Sequence, residues 1–311
     1  MIISTDHLAK QFGRTTALAD LTIRVEPGEV FGFLGPNGAG KTTAVKLLLG
    51  LARPTGGTGT VLGAPLGDRV ARRRIGYLPE LFRYQPWLAA REVLDLHARL
   101  IGSVDRSKAA LDRSLDEVGL HDRAADAVGG FSKGMQQRLG LAVALLGAPA
   151  LVILDEPTSA LDPVGRADVR AIIRRARDAG TAVFLNSHLL TEVERVCDRV
   201  AIVDRGRLLA SGPLAELVGG PNVRIRVSEG HAEAAAALRR FGRAAVDDDG
   251  WLTIGGGDPA MVPDMVAAVV AAGGRIEAVE PGRATLEDRY LELIGSPAAP
   301  EVGSQPAVSI E

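Results

Sequence analysis

Nine residues, Gly35 to Thr43, reading G-P-N-G-A-G-K-T-T, constrain this chain more than any other stretch. An apolar run, Val30 to Leu34, leads in, and a helix-prone run, Ala44 to Leu49, leads out to a stop at Gly50. The order is strand, loop, helix. Gly35, Gly40, Lys41 and Thr42 satisfy the spacing G-x-x-x-x-G-K-[ST], in which glycines let the backbone curl so that successive N–H groups face one anion. The helix start adds about half a positive charge aimed at the same place. The candidate contacts to a nucleoside triphosphate are Gly35, Pro36, Asn37, Gly38, Ala39, Gly40, Lys41, Thr42 and Thr43. Lys41 is expected to reach the β- and γ-phosphates, and Thr42 to offer its hydroxyl to Mg²⁺.

A second group of residues fits the same chemistry. Leu151 to Leu154 is apolar and ends in Asp155-Glu156-Pro157, the pattern of a buried parallel strand carrying carboxylates to the edge where open α/β sheets bind ligands. Asp155 is expected to hold Mg²⁺ through its water shell, and Glu156 to polarise the attacking water. His188 follows the apolar run Ala182 to Leu185, well placed to touch a γ-phosphate. A lone histidine is more often structural. Phe12 offers an aromatic face to a purine base, with core or edge packing an equal reading. In the segment Phe131 to Arg138, Ser132 reads as an N-cap, and the free N–H groups of the helix behind it suit a second phosphate contact through Ser132, Gly134 and Gln136. Most Ser-capped helices bind nothing, so this segment has little weight alone.

The rest of the chain bounds the function. Its 311 residues allow a large α/β core plus a small second domain. The net charge is −2 and no basic stripe is sustained, which disfavours nucleic acid as the main partner. The cluster Arg69, Arg72, Arg73 and Arg74 is the best exception, read as a solvated patch. The single Cys197 excludes a disulfide framework and suits a reducing cytosol. No secretory signal is legible, and the charge-free run Leu139 to Leu154 is too short for a span and broken by Gly147 and Pro149. A membrane role therefore requires a partner.

Periodicity divides the chain into residues 1–217, with a helical insert over about 87–147, then a unit over 222–294 and a tail over 295–311 read as disordered. At the N-terminus, Ile2 to Leu8 and Leu18 to Val25 read as short strands around a polar turn from Gln11 to Thr16. The second unit runs β-α-β-β-α-β, the order of a ferredoxin-like domain.

Together these pieces resemble the ATP-binding cassette of ABC transporters over roughly residues 2–217. Gly35 to Thr43 is similar to the Walker A loop, Leu151 to Glu156 to the Walker B strand with its catalytic Glu, Ser159 to Asp162 to the D-loop, and His188 to the switch histidine. Phe131 to Met135 resembles the signature segment, and Phe12 falls where the family places its adenine-stacking aromatic. The resemblance implies an α/β fold, a P-loop NTPase cassette with an antiparallel β subdomain and helical insert, followed by a small α+β (ferredoxin-like) C-terminal domain. It implies ATP and Mg²⁺ as cofactors, and two copies pairing head to tail with each ATP between Lys41 of one and Ser132 of the other. It also implies a transmembrane permease partner, through which the chain sits on the inner, cytoplasmic face of the cell membrane. The chain departs from the family at two places. The signature L-S-G-G-Q is F-S-K-G-M here, with Lys133 and Met135 replacing Gly and Gln, and Glu80 stands where the family has the Gln of its Q-loop, a further candidate Mg²⁺ contact. Both variants are similar to those of export-type cassettes. The rival reading is a soluble cassette ATPase on ribosomes or DNA. One Walker A and the absence of long heptad runs speak against it.

Overall fold

The computed structural model describes residues 1–295 apart from 103, 160, 219–220, 247–249, 257 and 284, with the backbone alone for 221, 281–283 and 295. At the N-terminus, β1 (Ile3–Phe12) and β2 (Thr15–Leu21) form a hairpin, followed by the short β3 (Arg24–Val25). The expected Gln11-to-Thr16 turn contracts to Gly13 and Arg14, because Phe12 and Thr15 already pair across the strands. Next, β4 (Val30–Leu34) enters the phosphate loop and α1 (Lys41–Leu48) leaves it. The small elements β5 (Gly56–Val61), β6 (Ala64–Pro65) and α2 (Arg69–Arg72) precede β7 (Ile75–Leu78).

The insert is built from α3 (Ala90–Ile101), α4 (Lys108–Asp116) and α5 (Lys133–Leu145). Alternation then resumes with β8 (Leu151–Asp155), α6 (Pro163–Asp178), β9 (Ala182–Asn186), α7 (Leu190–Val196), β10 (Arg199–Asp204), β11 (Arg207–Pro213) and α8 (Leu214–Val218). One sheet carries these strands in the order β6-β5-β1-β2-β11-β10-β4-β9-β8-β7, with β3 beside β1. From β10 to β7 all neighbours are parallel. The β6, β5, β1, β2 end is antiparallel.

Both faces of the parallel part are covered, which is why β4, β8 and β9 read as unbroken apolar runs. On one face Phe31 and Phe33 pack on Phe184 at ring separations of 5.8 and 5.3 Å, with Val45 and Leu48 of α1. On the other, Val183 and Leu185 meet Leu139 of α5, Val169 of α6 and Val193 of α7.

A second sheet follows: β12 (Pro221–Val227), α9 (His231–Leu238), β13 (Arg243–Val246), β14 (Trp251–Gly255), α10 (Val262–Ala271) and β15 (Ile276–Arg283). Its strands run antiparallel in the order β13-β14-β12-β15, the arrangement a β-α-β-β-α-β chain takes when its first and last strands lie side by side. Val223, Ile225, Leu252 and Ile254 are buried beneath Leu238 of α9 and Val269 of α10.

The last helix, α11 (Leu286–Gly295), leaves this sheet and returns to the first. Leu286 is fully buried there, and Tyr290 and Leu293 pack on the same core as Leu190, Leu214 and Leu217. The sequence reading placed residues 286–294 with the second unit; spatially the helix lies on α7 and α8. Of the tail read as disordered, 295–311, Gly295 ends α11 and 296–311 lie outside the described residues.

Candidate nucleotide site

Three neighbouring parallel strands bring the predicted residues to one edge. β9 sits between β4 and β8, so the phosphate loop after β4, the acids ending β8 and the residues ending β9 open on the same side. They surround a cavity of about 390 Å³ lined by Pro36, Asn37, Gly38 and Gly40 to Thr43 of the loop, and by Glu80, Asp155, Glu156, Asn186 and His188.

The loop holds its curl through backbone conformations that side chains oppose. Gly40 has φ of +99°, and a Cβ there would lie 2.3 Å from the Ala17 carbonyl oxygen. Gly35 and Ala39 are predicted contacts that lie behind the loop: a Cβ on Gly35 would lie 2.3 Å from the Val203 carbonyl, and Ala39 is buried. The Lys41 ammonium donates to the carbonyls of Gly35 at 2.7 Å and Pro36 at 3.2 Å. Burial lowers its pKa, while Glu156, Asp155 and Glu80 pull the other way.

The two acids are held differently. Asp155 accepts from Asn186 Nδ2 at 2.5 Å. Burial raises its pKa, opposed by the Asn186 bond, while Glu80 and Glu156 push it up further and Lys41 down. Glu156 sits at φ of +52°, in the left-handed region, with its N–H donating to the Asn186 carbonyl at 2.9 Å. Its Oε1 lies 2.8 Å from His188 Nδ1, and its Oε2 is buried with no hydrogen-bond partner among the described residues. A backbone held in a sparsely populated region beside an unpaired carboxylate oxygen is the kind of strain that marks reactive sites.

The oxygen donors fit Mg²⁺. Thr42, Asp155 and Glu80 border one cavity. Among the described residues no cluster of three His, Cys, Asp or Glu side chains forms a ready cage for a metal. Few protein oxygens, completed by water and phosphate, is the Mg²⁺ pattern.

Other predicted residues are not brought into this cavity. Phe12 is 51% exposed at the end of β1, with Lys10 Nζ 4.8 Å from its ring centroid. It pairs across the hairpin with Thr15, which lines the cavity with Thr16 and Ala17. Ser132 and Gly134 border a separate cavity of about 440 Å³ with Lys133, Arg138, Leu161 and Asp162. Ser132 caps α5 by accepting from the Met135 N–H at 3.2 Å. Gln136 turns back, its Nε2 donating to the Phe131 carbonyl at 3.2 Å. As placed, its amide serves the loop instead of facing a ligand.

Sequence reasoning missed Thr15, Thr16, Ala17 and Asn186. The first two lay in the expected turn. Asn186 carried a signal, a polar amide closing an apolar run directly before Ser187 and His188.

Comparison with known proteins identifies the family. The family described as ABC transporter matches residues 18–159. An uncharacterised ABC transporter ATP-binding protein of Synechocystis is 42% identical over 285 residues, covering 90% of this chain and 79% of that protein. The Nod factor export ATP-binding protein I of Paraburkholderia xenovorans is 38% identical over 219 residues, 70% of this chain and 72% of that protein. A solved ATP-binding subunit of an ABC transporter superposes with a TM-score of 0.63 at 32% identity, over 70% of this chain and 92% of that one. The chain therefore belongs to the ABC transporter ATP-binding proteins, cassettes that bind and hydrolyse ATP.

Proposed function

We propose that this chain is the ATP-hydrolysing subunit of an exporter, pairing with a second copy of itself around two ATP and driving a separate transmembrane permease. The observation that carries the reading is the division of phosphate contacts between two open cavities. Lys41, Glu156 and His188 meet at one, and Ser132 with Gly134 borders the other. Neither surface encloses a triphosphate alone, so a nucleotide held by both would join two copies.

In this reading the loop N–H groups and Lys41 bind the β- and γ-phosphates, and Thr42, Asp155 and Glu80 hold Mg²⁺, which when bound neutralises phosphate charge. Glu156 accepts a proton from the attacking water. His188 keeps the Glu156 carboxylate aimed and faces the γ-phosphate. Phe12 stacks on the adenine from the hairpin. Ser132 and Gly134 close over the phosphates of the partner's ATP.

Residues 1–217 act as the cassette, with the helical insert over about 87–147, and the second sheet with its helices, 222–283, as an accessory domain, while α11 packs back on the cassette. No described helix is long and apolar enough to cross a membrane. The chain sits on the cytoplasmic face through the permease, which docks on the apolar side chains exposed on and before α3, Leu81, Trp87 and Leu100. The export direction follows the relative named for Nod factor export. The test is the mass of the Glu156→Gln protein with and without Mg·ATP: doubling with nucleotide supports the reading, and a monomer at saturating ATP rejects it.

A further inference from the structure

We propose that Asn186 is a positioning residue for hydrolysis, fixing the Asp155 carboxylate with its side chain and the Glu156 backbone with its main chain. The inference rests on the reading above that Asp155 faces the nucleotide-bound cation.

Asn186 ends β9, in register with Asp155 on β8 and with Phe33 on β4. It is 2% exposed, closing a strand whose other members, Ala182 to Leu185, are buried and apolar. An amide in that place needs partners for both ends, because burial removes its water. It has them for one. An ionised carboxylate only accepts hydrogen bonds, so Nδ2 must face Asp155, where it lies 2.5 Å from Oδ1. Oδ1 is then left buried with no donor among the described residues. Turning the amide over would set two acceptors, Asn186 Oδ1 and the Asp155 carboxylate, against each other. The fold thus tolerates an orphaned carbonyl oxygen for the sake of a donor to Asp155.

The main chain of the same residue restrains the second acid. Its carbonyl accepts the Glu156 N–H at 2.9 Å, at the position where Glu156 takes its left-handed φ of +52°. Two residues later, His188 holds Glu156 Oε1. One strand end therefore restrains both carboxylates. With Nδ2 on Oδ1, the other Asp155 oxygen is the one available to the cation's water shell. Partners that orient a metal-site carboxylate in this way commonly govern metal affinity by 10- to 100-fold.

The experiment compares Mn²⁺ affinity of the ATP-bound protein, read by electron paramagnetic resonance, with ATP affinity in excess EDTA. Asn186→Ala is expected to weaken Mn²⁺ binding by about 10-fold or more and to leave metal-free ATP affinity within about twofold. Asn186→Ser, which keeps a shorter donor, is expected to recover part of the loss. It also serves as the test protein, together with the size-matched, donor-less Asn186→Leu, if the alanine variant does not fold. Unchanged Mn²⁺ affinity in Asn186→Ala or Asn186→Leu, or an equal fall of both affinities, overturns the proposal. Asp155→Asn separates the two levels. If it too leaves Mn²⁺ affinity intact, the assignment of Asp155 fails. If it removes Mn²⁺ binding while the Asn186 variants do not, only the role of Asn186 fails.

Discussion

His188 and Glu156 meet across the ends of β9 and β8, with the imidazole Nδ1 2.8 Å from the carboxylate Oε1. The histidine side chain is half exposed and the glutamate 9% exposed, so the pair joins a solvent-facing ring to a buried acid. Glu156→Gln preserves shape and removes the base. Its ATPase rate is expected to fall by about 10²- to 10⁴-fold with ATP affinity nearly unchanged, checked by steady-state turnover beside equilibrium binding. Turnover at the normal rate would remove Glu156 from the chemistry.

Lys41→Ala is expected to act on the other quantity. Each charge-assisted bond from the ammonium to phosphate contributes about 1.5–3 kcal/mol, so ATP affinity should drop by roughly 10- to 150-fold for one bond lost. Titration with ATP reads this directly. An affinity equal to that of the unaltered chain contradicts the placement of phosphate beside Lys41.

Asp155 gives a pH-dependent prediction. Burial raises its folded pKa above that of the unfolded chain. Between those two values the native state binds more protons than the unfolded state, so stability declines as pH rises from the ordinary carboxylate range through the folded pKa. Asp155→Asn removes the charge and keeps an acceptor for Asn186. The nucleotide-free variant should melt higher than the unaltered protein at neutral pH, with the difference shrinking toward acid, while Mg²⁺-dependent hydrolysis is lost. Thermal melts across pH check the sign.

Sharing of sites between copies predicts complementation. A mixture of Lys41→Ala and Ser132→Ala proteins forms some dimers in which one site has both residues intact and the other has neither. ATPase activity above either parent is expected. None, with mixed dimers demonstrated by differential tags, contradicts sharing across the interface.

Arg170 of α6 and Glu192 of α7 form an ion pair at 2.5 Å, with side chains 14% and 8% exposed. Losing one partner strands the other's charge, so Arg170→Met alone should cost about 3–5 kcal/mol, while Arg170→Met with Glu192→Leu should recover most of it. Urea unfolding of the three proteins measures both. Because α7 begins two residues after His188, the single variant should also disturb turnover.

The phosphate loop was readable in the sequence because its geometry is a local requirement: glycines where the backbone must curl, a lysine at fixed distance, a strand before and a helix after. The buried strands were readable for a similar reason, since two covered faces leave no polar alternation. Ends of elements were less legible. The hairpin turn before Ala17 closed four residues tighter than composition implied, so that Thr15 and Thr16, which line the cavity, belong to β2.

What the sequence determined by itself was the identity of the parts, including Lys41, Asp155, Glu156, His188 and Ser132, because each is specified by its neighbours along the chain. Only the tertiary structure decided how the parts relate. Strand order put β9 between the loop and the acids, which made Asn186 the link between them. It left Ser132 at a separate cavity and carried α11 back onto α7. Such relations depend on which distant segments pack together, and local pattern carries no record of that.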